Sequence, residues 1–315
     1  MLDLTKVLPF MRYRKHCVVL SAVLMLGSVV AIAVNGFNFA LDFTGGTQVL
    51  LQYQQAPDLE QIRQTLEQAG FPDNEVVSLG SDTNIQIRIQ NADGSEETEQ
   101  AAGETAARVA AVLADSSPDQ VTLAGSSYIG AQVGDELREQ GIMGMLVATA
   151  LLMMFIALRF QFKFSIGAVL SLLHNGIITA GFIALARIDF DQNVLASILG
   201  VIGYSLNDTV VVSDRVRENF RLLRGVEPER IIDTALSQTL VRTMITVMTT
   251  LLVLFALLFF GGPVLYGFSI VLIVGVIVGT YASIYVATST LMFMNLSKED
   301  MMPPVKAKEE LDALP

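Results

Sequence analysis

Six runs of predominantly apolar residues, each near the roughly 20 residues that a helix needs to cross a hydrocarbon layer, divide this sequence. They extend from Cys17 to Val34, Gly141 to Leu158, Phe164 to Ala186, Val194 to Ser213, Met244 to Phe260 and Leu265 to Leu291. Backbone inside a bilayer must satisfy its own polar groups, so each run is confined to a helix and the chain to a polytopic α-helical membrane protein. With 52% hydrophobic and 16% charged residues, a pair of ordinary soluble domains is excluded. The formal charge of −11 misleads as an average, because the acids concentrate between the first two runs while bases flank the others. Nucleic acid is not an expected partner, since no basic stripe with interleaved aromatics is present. Membrane lipid is. The single cysteine, Cys17, has no partner for an intrachain disulfide.

Orientation follows from the short flanks. Lys6, Arg12, Arg14 and Lys15 precede the first run; Arg159 and Lys163 join the second to the third; Arg215, Arg217, Arg221, Arg224, Arg230 and Arg242 lie between the fourth and fifth. All three sets belong on the cytoplasmic side, which puts both termini there. A cleaved signal peptide is the alternative for the first run, given its basic start and Ala31-Ile-Ala33, but the run is long for that purpose. Either reading leaves the next portion outside. Gly261-Gly262-Pro263 reads as a tight turn between the last two runs.

The expected divisions are therefore 1–16 inside, 17–34 first span, 35–138 outer domain, 139–213 spans two to four, 214–242 inner link, 243–292 last two spans and 293–315 inner tail. In the outer domain, Thr47 to Tyr53 alternates Val49, Leu51 and Tyr53 as a half-buried strand. Leu59, Ile62, Leu66 and Ala69 recur at helical spacing, and Gly70-Phe-Pro-Asp-Asn74 ends that helix. Val76 to Leu79 and Ile85, Ile87, Ile89 read as two strands, Ser95 to Ala114 as a helix capped by Ser95, and Gln120 to Ala124 as a last strand. The order β-α-β-β-α-β is the ferredoxin-like α+β arrangement. It contains neither His16 nor His174, so no nucleophile with a histidine is written into it. A calcium loop at Asn91 to Glu99 lacks the ligand register, and Thr44-Gly-Gly-Thr47 lacks the Lys-Ser/Thr of a phosphate loop.

One carboxylate stands inside a run. Asp208 in the fourth carries a cost of roughly 2.5–3.5 kcal/mol if ionised at mid-membrane, so it is expected to face protein interior and to have a function. Ser197, Val201, Tyr204, Ser205 and Asp208 share one helical face, a candidate ion path that Gly203 is expected to keep thin. His174 and Asn175 lie mid-way along the third run, Asn207 beside the carboxylate, and Asp214 near the cytoplasmic surface where Arg217 or Arg221 offers a local ion pair. In the inner link, Glu227-Pro228 starts a helix whose apolar face is Ile231, Ile232, Ala235, Leu236 and Leu240. It is expected along the membrane surface, turning inward at Arg242, while Ser297 to Pro315 reads as a flexible tail.

Five blocks resemble the SecD/SecF family of bacterial protein-export subunits, a branch of the RND superfamily. They are Leu41-Asp-Phe-Thr-Gly-Gly-Thr47, Gly203 to Phe220, Ser237-Gln-Thr-Leu-Val-Arg-Thr243, Phe260-Gly-Gly262 and Gly279-Thr-Tyr-Ala-Ser-Ile-Tyr285, in order along the chain. The resemblance implies a six-span RND-type half in the bacterial inner membrane, with its large loop periplasmic. It also implies SecD as the second half, the SecYEG channel, YajC and a translocating polypeptide as partners, and proton-motive force in place of any cofactor, metal or enzymatic chemistry. Asp42, Gly45 and Gly46 fall on the first family motif. The family commonly has His-Asp where this chain has His174-Asn175, so a second buried carboxylate is missing.

The mechanism expected from the residues centres on Asp208 with Arg242. Burial favours a neutral carboxyl and a guanidinium an ionised one, so an Asp that alternates between the two settings takes up and releases a proton. About 2.3 kcal/mol per charge per 100 mV is available to bias a two-state element. The same architecture permits a proton-driven half-transporter for a small hydrophobic substrate. An intramembrane protease is disfavoured, since Asp208 has no partner Asp and no serine forms a recognisable motif with His174.

Overall fold

The computed structural model describes residues 7–72, 74–79, 81–89, 99–116, 121–223 and 225–296. The expected cap at Ser95, most of the Asn91 to Glu99 turn, and the tail from Ser297 lie outside these residues. Six described helices are long and apolar enough to cross a membrane. They are α1 (Arg14–Asn35, led by a 3-10 turn at Met11–Tyr13), α5 (Ala131–Arg159), α6 (Phe162–Ala186), α7 (Gln192–Leu222), α8 (Pro228–Phe260), and α9 (Gly262–Tyr281), which continues through a π turn at Ala282–Ala287 into α10 (Thr288–Phe293).

The third helix forms the centre of the bundle. Phe164, Ala168, Leu172, His174, Asn175, Ile178 and Ile183 of α6 are all buried, whereas α1 and α5 expose wide apolar stripes such as Val19, Val23, Leu26 and Met143, Leu146, Leu158. Stripes of this kind suit lipid, where helices gain by close fit rather than by leaving water. The fit is made at small residues. A Cβ on Gly181 would strike Ser28 of α1, one on Gly275 would strike Val201 of α7, and one on Gly167 would stand 3.0 Å from the carbonyl oxygen of Ala287. Gly203, by contrast, has open space around it, so it does not thin a helix contact as its sequence position suggests. Glycines on α9 carry the close approaches to α7.

The α+β domain is β2 (Gly46–Tyr53), α3 (Leu59–Gln68), β3 (Asn74–Ser78), β4 (Asn84–Ile89), α4 (Glu99–Ser116) and β5 (Val121–Ile129). Its strands lie in the order β3-β4-β2-β5 with every neighbouring pair antiparallel, the ferredoxin-like order. Val49, Leu51, Tyr53, Ile85 and Ile87 point into one core with Ile62 and Leu66 of α3 and Val109 and Leu113 of α4, as the period of two and the helical spacing require. Asp58 caps α3 by accepting from the Glu60 amide at 2.9 Å. The last strand reaches Ile129, well past Ala124, with a bulge in its pairing between Leu50 and Leu51.

Two short elements tie this domain to the membrane bundle. β1 (Asn38–Phe39) pairs in parallel with β6 (Asp189–Phe190) of the α6–α7 link, and a single turn, α2 (Leu41–Thr44), leads into β2. Phe37, Phe39, Phe43 and Phe190 pack ring to ring at centroid distances from 5.2 to 6.3 Å.

The inner link departs from expectation. α7 runs on to Leu222 and α8 is unbroken from Pro228 to Phe260, so no turn occurs at Arg242. Ile231, Ile232, Ala235 and Leu236 are buried in the same core as Met11, Val216 and Phe220 instead of lying on a lipid surface. The segment before α1 is bound there too. The Met11 amide donates to Asp233 Oδ1 at 2.8 Å, the Leu8 amide to Ser237 Oγ at 2.9 Å, and Arg14 pairs with Glu229.

Candidate proton site and its link to the outer domain

The face read along α7 is real in its inner part. Ser197, Val201, Ser205 and Thr209 are buried, and Asp208 sits half-buried at the edge of this face. Two hydroxyls from other helices meet its carboxylate. Thr243 Oγ1 of α8 donates to Oδ1 at 2.7 Å, and Ser283 Oγ of the π turn donates to Oδ2 at 2.5 Å. Neither hydroxyl belongs to the expected site, although both fall in family blocks quoted above. Their signal is a hydroxyl on an otherwise apolar run, which is common enough in membrane helices to be overlooked.

The expected partner is elsewhere. Arg242 is exposed on α8 and makes no ion pair among the described residues, because a step of about 100° per residue turns Thr243 inward and Arg242 outward. Asn207 is likewise exposed, one residue around α7 from the carboxylate, and no hydrogen bond joins the two. Asp214 pairs at 3.3 Å with Arg159 of α5, not with Arg217 or Arg221 on its own helix. That pair is about half exposed and contributes little to stability.

Asn175 and His174 part company. Asn175 is fully buried and accepts from Thr179 Oγ1 at 3.4 Å. Its amide nitrogen borders Gly279 where Ser205 of α7 also approaches, 2.7 and 3.1 Å from where a Cβ would stand. It therefore stands beside Ser205, one turn before Asp208. His174 is equally buried but faces Tyr281, with ring centroids 6.1 Å apart, and no hydrogen bond links it to Asp208. Tyr281 in turn donates to the Cys17 carbonyl of α1 at 2.6 Å. Among the described residues, no cluster of three or more His, Cys, Asp or Glu is placed to hold a metal ion.

The first family motif lies at the opposite end of α7. Asp42 Oδ2 accepts from the Gln192 amide at 3.1 Å and Asp191 Oδ1 from the Val194 amide at 2.7 Å, so two carboxylates cap the helix that carries Asp208. Burial pushes the Asp191 carboxyl up from its ordinary range, and the charges of Asp42 and Asp189 add to this against the hydrogen bond from Val194. Gly45 and Gly46 have φ of +71° and +125°, which side chains rarely adopt. A Cβ on Gly46 would also stand 2.6 Å from the Ile89 carbonyl oxygen, while Gly134 of α5 brings its Cα close over the Gly45 amide. Gly46 thus lets β2 start against the Ile89 backbone of β4, and Gly134 lets α5 pass the end of α2 at backbone distance.

Above this motif is a joint that the sequence does not announce. Arg88 is buried on the face of β4 opposite the core, where it pairs with Glu75 at 3.1 Å and with Asp189 of the α6–α7 link. Asn38 donates to the same two carboxylates at 2.9 and 2.7 Å. In a strand that alternates Ile85, Ile87 and Ile89, Gln86 and Arg88 read as solvent-facing, yet both are buried because that face lies over the membrane bundle. A cavity of about 620 Å³ opens beside the joint, between β3 and the start of α9.

Comparison with known proteins accords with this geometry. Residues 108–297 match the family model for the protein export membrane protein SecD/SecF, C-terminal, and residues 30–57 match the SecD/SecF GG motif. The chain is 44% identical over 298 residues to the protein translocase subunit SecF of Pseudomonas aeruginosa, covering 93% of this chain and 94% of that one. It is 38% identical to the subunit of the same name from Vibrio alginolyticus, covering 98% of each. The crystal structure of SecDF, a translocon-associated membrane protein from Thermus thermophilus, superposes with a TM-score of 0.83 at 31% identity. That match covers 94% of this chain and 40% of the SecDF chain. Two family models, near-full-length relatives and a shared bundle thus lead to one conclusion: this chain belongs to the SecD/SecF family of protein-export membrane proteins.

Proposed function

We propose that this chain is a membrane subunit of the protein-export machinery that, together with SecD, couples the proton-motive force to late translocation and release of exported polypeptides. Asp208 is the residue that takes up and gives back the proton. The observation that carries this reading is a carboxylate inside a spanning helix whose two oxygens are held by hydroxyls on two other helices. Gain of a proton there changes which groups donate and which accept at a junction of three helices, so it biases how they pack. A charge moved through about 100 mV supplies about 2.3 kcal/mol for that purpose.

SecD supplies the second half of the bundle. Support for this comes from the outward faces of α7 and α8, where Gly203, Asn207 and Arg242 are exposed in segments that otherwise contact lipid. Exposed polar groups at that depth are costly unless protein or water covers them. Arg242 then reaches its partner in the assembled complex and not within this chain. SecYEG and YajC are the further partners, and the exported chain is the cargo. No cofactor and no bond-making chemistry enter, and the subunit is not an enzyme. It resides in the bacterial inner membrane with both termini cytoplasmic and the α+β domain periplasmic, as the basic flanks Arg12, Arg14, Lys15, Arg159 and Arg215 favour.

The experiment is a pulse-chase of a secreted protein in cells depleted of this chain. Restoration of export by the wild-type gene and not by Asp208→Asn supports the reading. Normal export by depleted cells, together with proton-coupled flux of a small hydrophobic compound in vesicles, would replace it with the half-transporter.

A further inference from the structure

We propose that Ser283 is the positioning residue that lets Asp208 be held in both of its protonation states, and that the π turn serves to keep it there. The inference deepens the proton-site reading above and rests on it. The Ser283 hydroxyl has two acceptors within reach, Asp208 Oδ2 at 2.5 Å and the Thr280 carbonyl at 2.9 Å. A hydroxyl carries one hydrogen, so it donates to one of them at a time. With Asp208 ionised, Ser283 and Thr243 each donate to one carboxylate oxygen.

When a proton arrives on Oδ2, the new carboxyl O–H donates to Ser283 Oγ, and the serine hydrogen turns to the Thr280 carbonyl. No heavy-atom bond forms or breaks, and the proton count rises by the one that arrived. Thr243 continues to donate to Oδ1 throughout. Ser283 is thus the partner with a ready alternative acceptor, and the carboxyl keeps a partner in either state while the direction of donation between α7 and the π turn reverses.

The π turn makes this geometry compatible with the rest of the last span. Such a turn is rare, and where it occurs it is often at a functional position. Upstream of it, Gly279 packs on Ser205 and Asn175; at its last residue, the Ala287 carbonyl packs on Gly167 of α6. Removal of its extra residue re-phases the two halves of the span by about 100° and loses one of these approaches. The titratable and charged groups on the surrounding elements are Tyr204 on α7, His174 on α6, Tyr281 and Tyr285 at the π turn, and Arg242 on α8. None of them hydrogen-bonds Asp208 among the described residues, which leaves Ser283 and Thr243 in that role.

The test is infrared difference spectroscopy of the full chain with its partner half in lipid nanodiscs, titrated with acid. The Asp208 carboxyl band is identified as the one that Asp208→Asn removes. In Ser283→Ala this band is expected at higher wavenumber, as for a carboxyl with no acceptor, and in Ser283→Thr it returns to the wild-type position. Gradient-driven release is expected to fall roughly tenfold in Ser283→Ala, the scale of one hydrogen bond to a charged group. A band that stays in place in Ser283→Ala overturns the role of Ser283 and leaves the proton site standing. Absence of any band that depends on Asp208 overturns both. Should Ser283→Ala fail to accumulate in membranes, Ser283→Cys, with its weaker donor, is expected to give an intermediate band position, and an unmoved band in that variant counts against the proposal in the same way.

Discussion

Thr243 of α8 donates a 2.7 Å hydrogen bond to Asp208 of α7, across the contact between two spanning helices. Its neighbour Arg242 faces outward, so the inner partner of the carboxylate is a neutral hydroxyl. Thr243→Val keeps the shape and removes the donor. Gradient-driven release is expected to fall roughly tenfold while the protein accumulates and melts within about 1 kcal/mol of wild type, and Thr243→Ser is expected to restore it. Equal release by Thr243→Val and wild type would remove Thr243 from the site.

Gly46 has φ +125° and no room for a Cβ beside the Ile89 carbonyl, and Gly134 none beside the Gly45 amide. The obstacles are backbone and cannot rotate away. Gly46→Ala and Gly134→Ala are each expected to destabilise the chain by about 1–3 kcal/mol, read as a lower melting temperature and faster proteolysis at the α+β domain. Gly203→Ala, which meets open space in the chain alone, is the matched control and is expected to leave the isolated chain unchanged.

Arg88 joins the sheet to the α6–α7 link through Glu75 and Asp189. Arg88→Met leaves two carboxylates side by side without their cation. The expected cost is roughly 2 kcal/mol, below that of a fully buried pair because both acids keep some contact with solvent. Hydrogen exchange should rise at the β1–β6 pairing, residues 38–39 and 189–190. In the double variant Arg88→Met with Asp189→Asn, part of the loss should be regained.

Asp191 provides a pH prediction. Its carboxyl is raised above the ordinary value of 3.8, by burial first and by Asp42 and Asp189 after it. The folded state therefore holds this proton at pH values where the unfolded chain has released it. The stabilisation is complete below the unfolded value and is lost as pH rises through the folded one. Asp191→Asn keeps an oxygen to accept from the Val194 amide and removes the charge. Melting curves taken between about pH 4 and about pH 7 should show a smaller decline for the variant than for wild type. An unchanged slope would mean that other groups govern this window.

How much of this was legible beforehand depends on what each residue must satisfy. The spans, the βαββαβ order and Asp208 were readable because lipid and a one-sided core impose strict periods on Val49, Leu51, Ile85 and Ile87 and make a lone carboxylate conspicuous. The role of Arg88 was not legible, since nothing local says that a second face of the sheet rests on the membrane bundle. Thr243 and Ser283 were hidden for a different reason. Their importance is a matter of rotation about α8 and of one extra residue in the last span, and sequence spacing fixes neither. The surface helix expected before Arg242 failed because its apolar face found Met11 and Phe220, distant in sequence, before it found lipid.

The central claim is that Asp208 couples the gradient to export. Its most direct test is the rate at which a newly exported protein leaves spheroplasts that carry Asp208→Asn, with and without the proton-motive force, at equal expression of the complex. Slow release that no longer responds to the gradient, beside a wild type that does respond, is the predicted result. Normal release that keeps its gradient response would contradict the account and make the Asp208, Thr243 and Ser283 junction a structural contact.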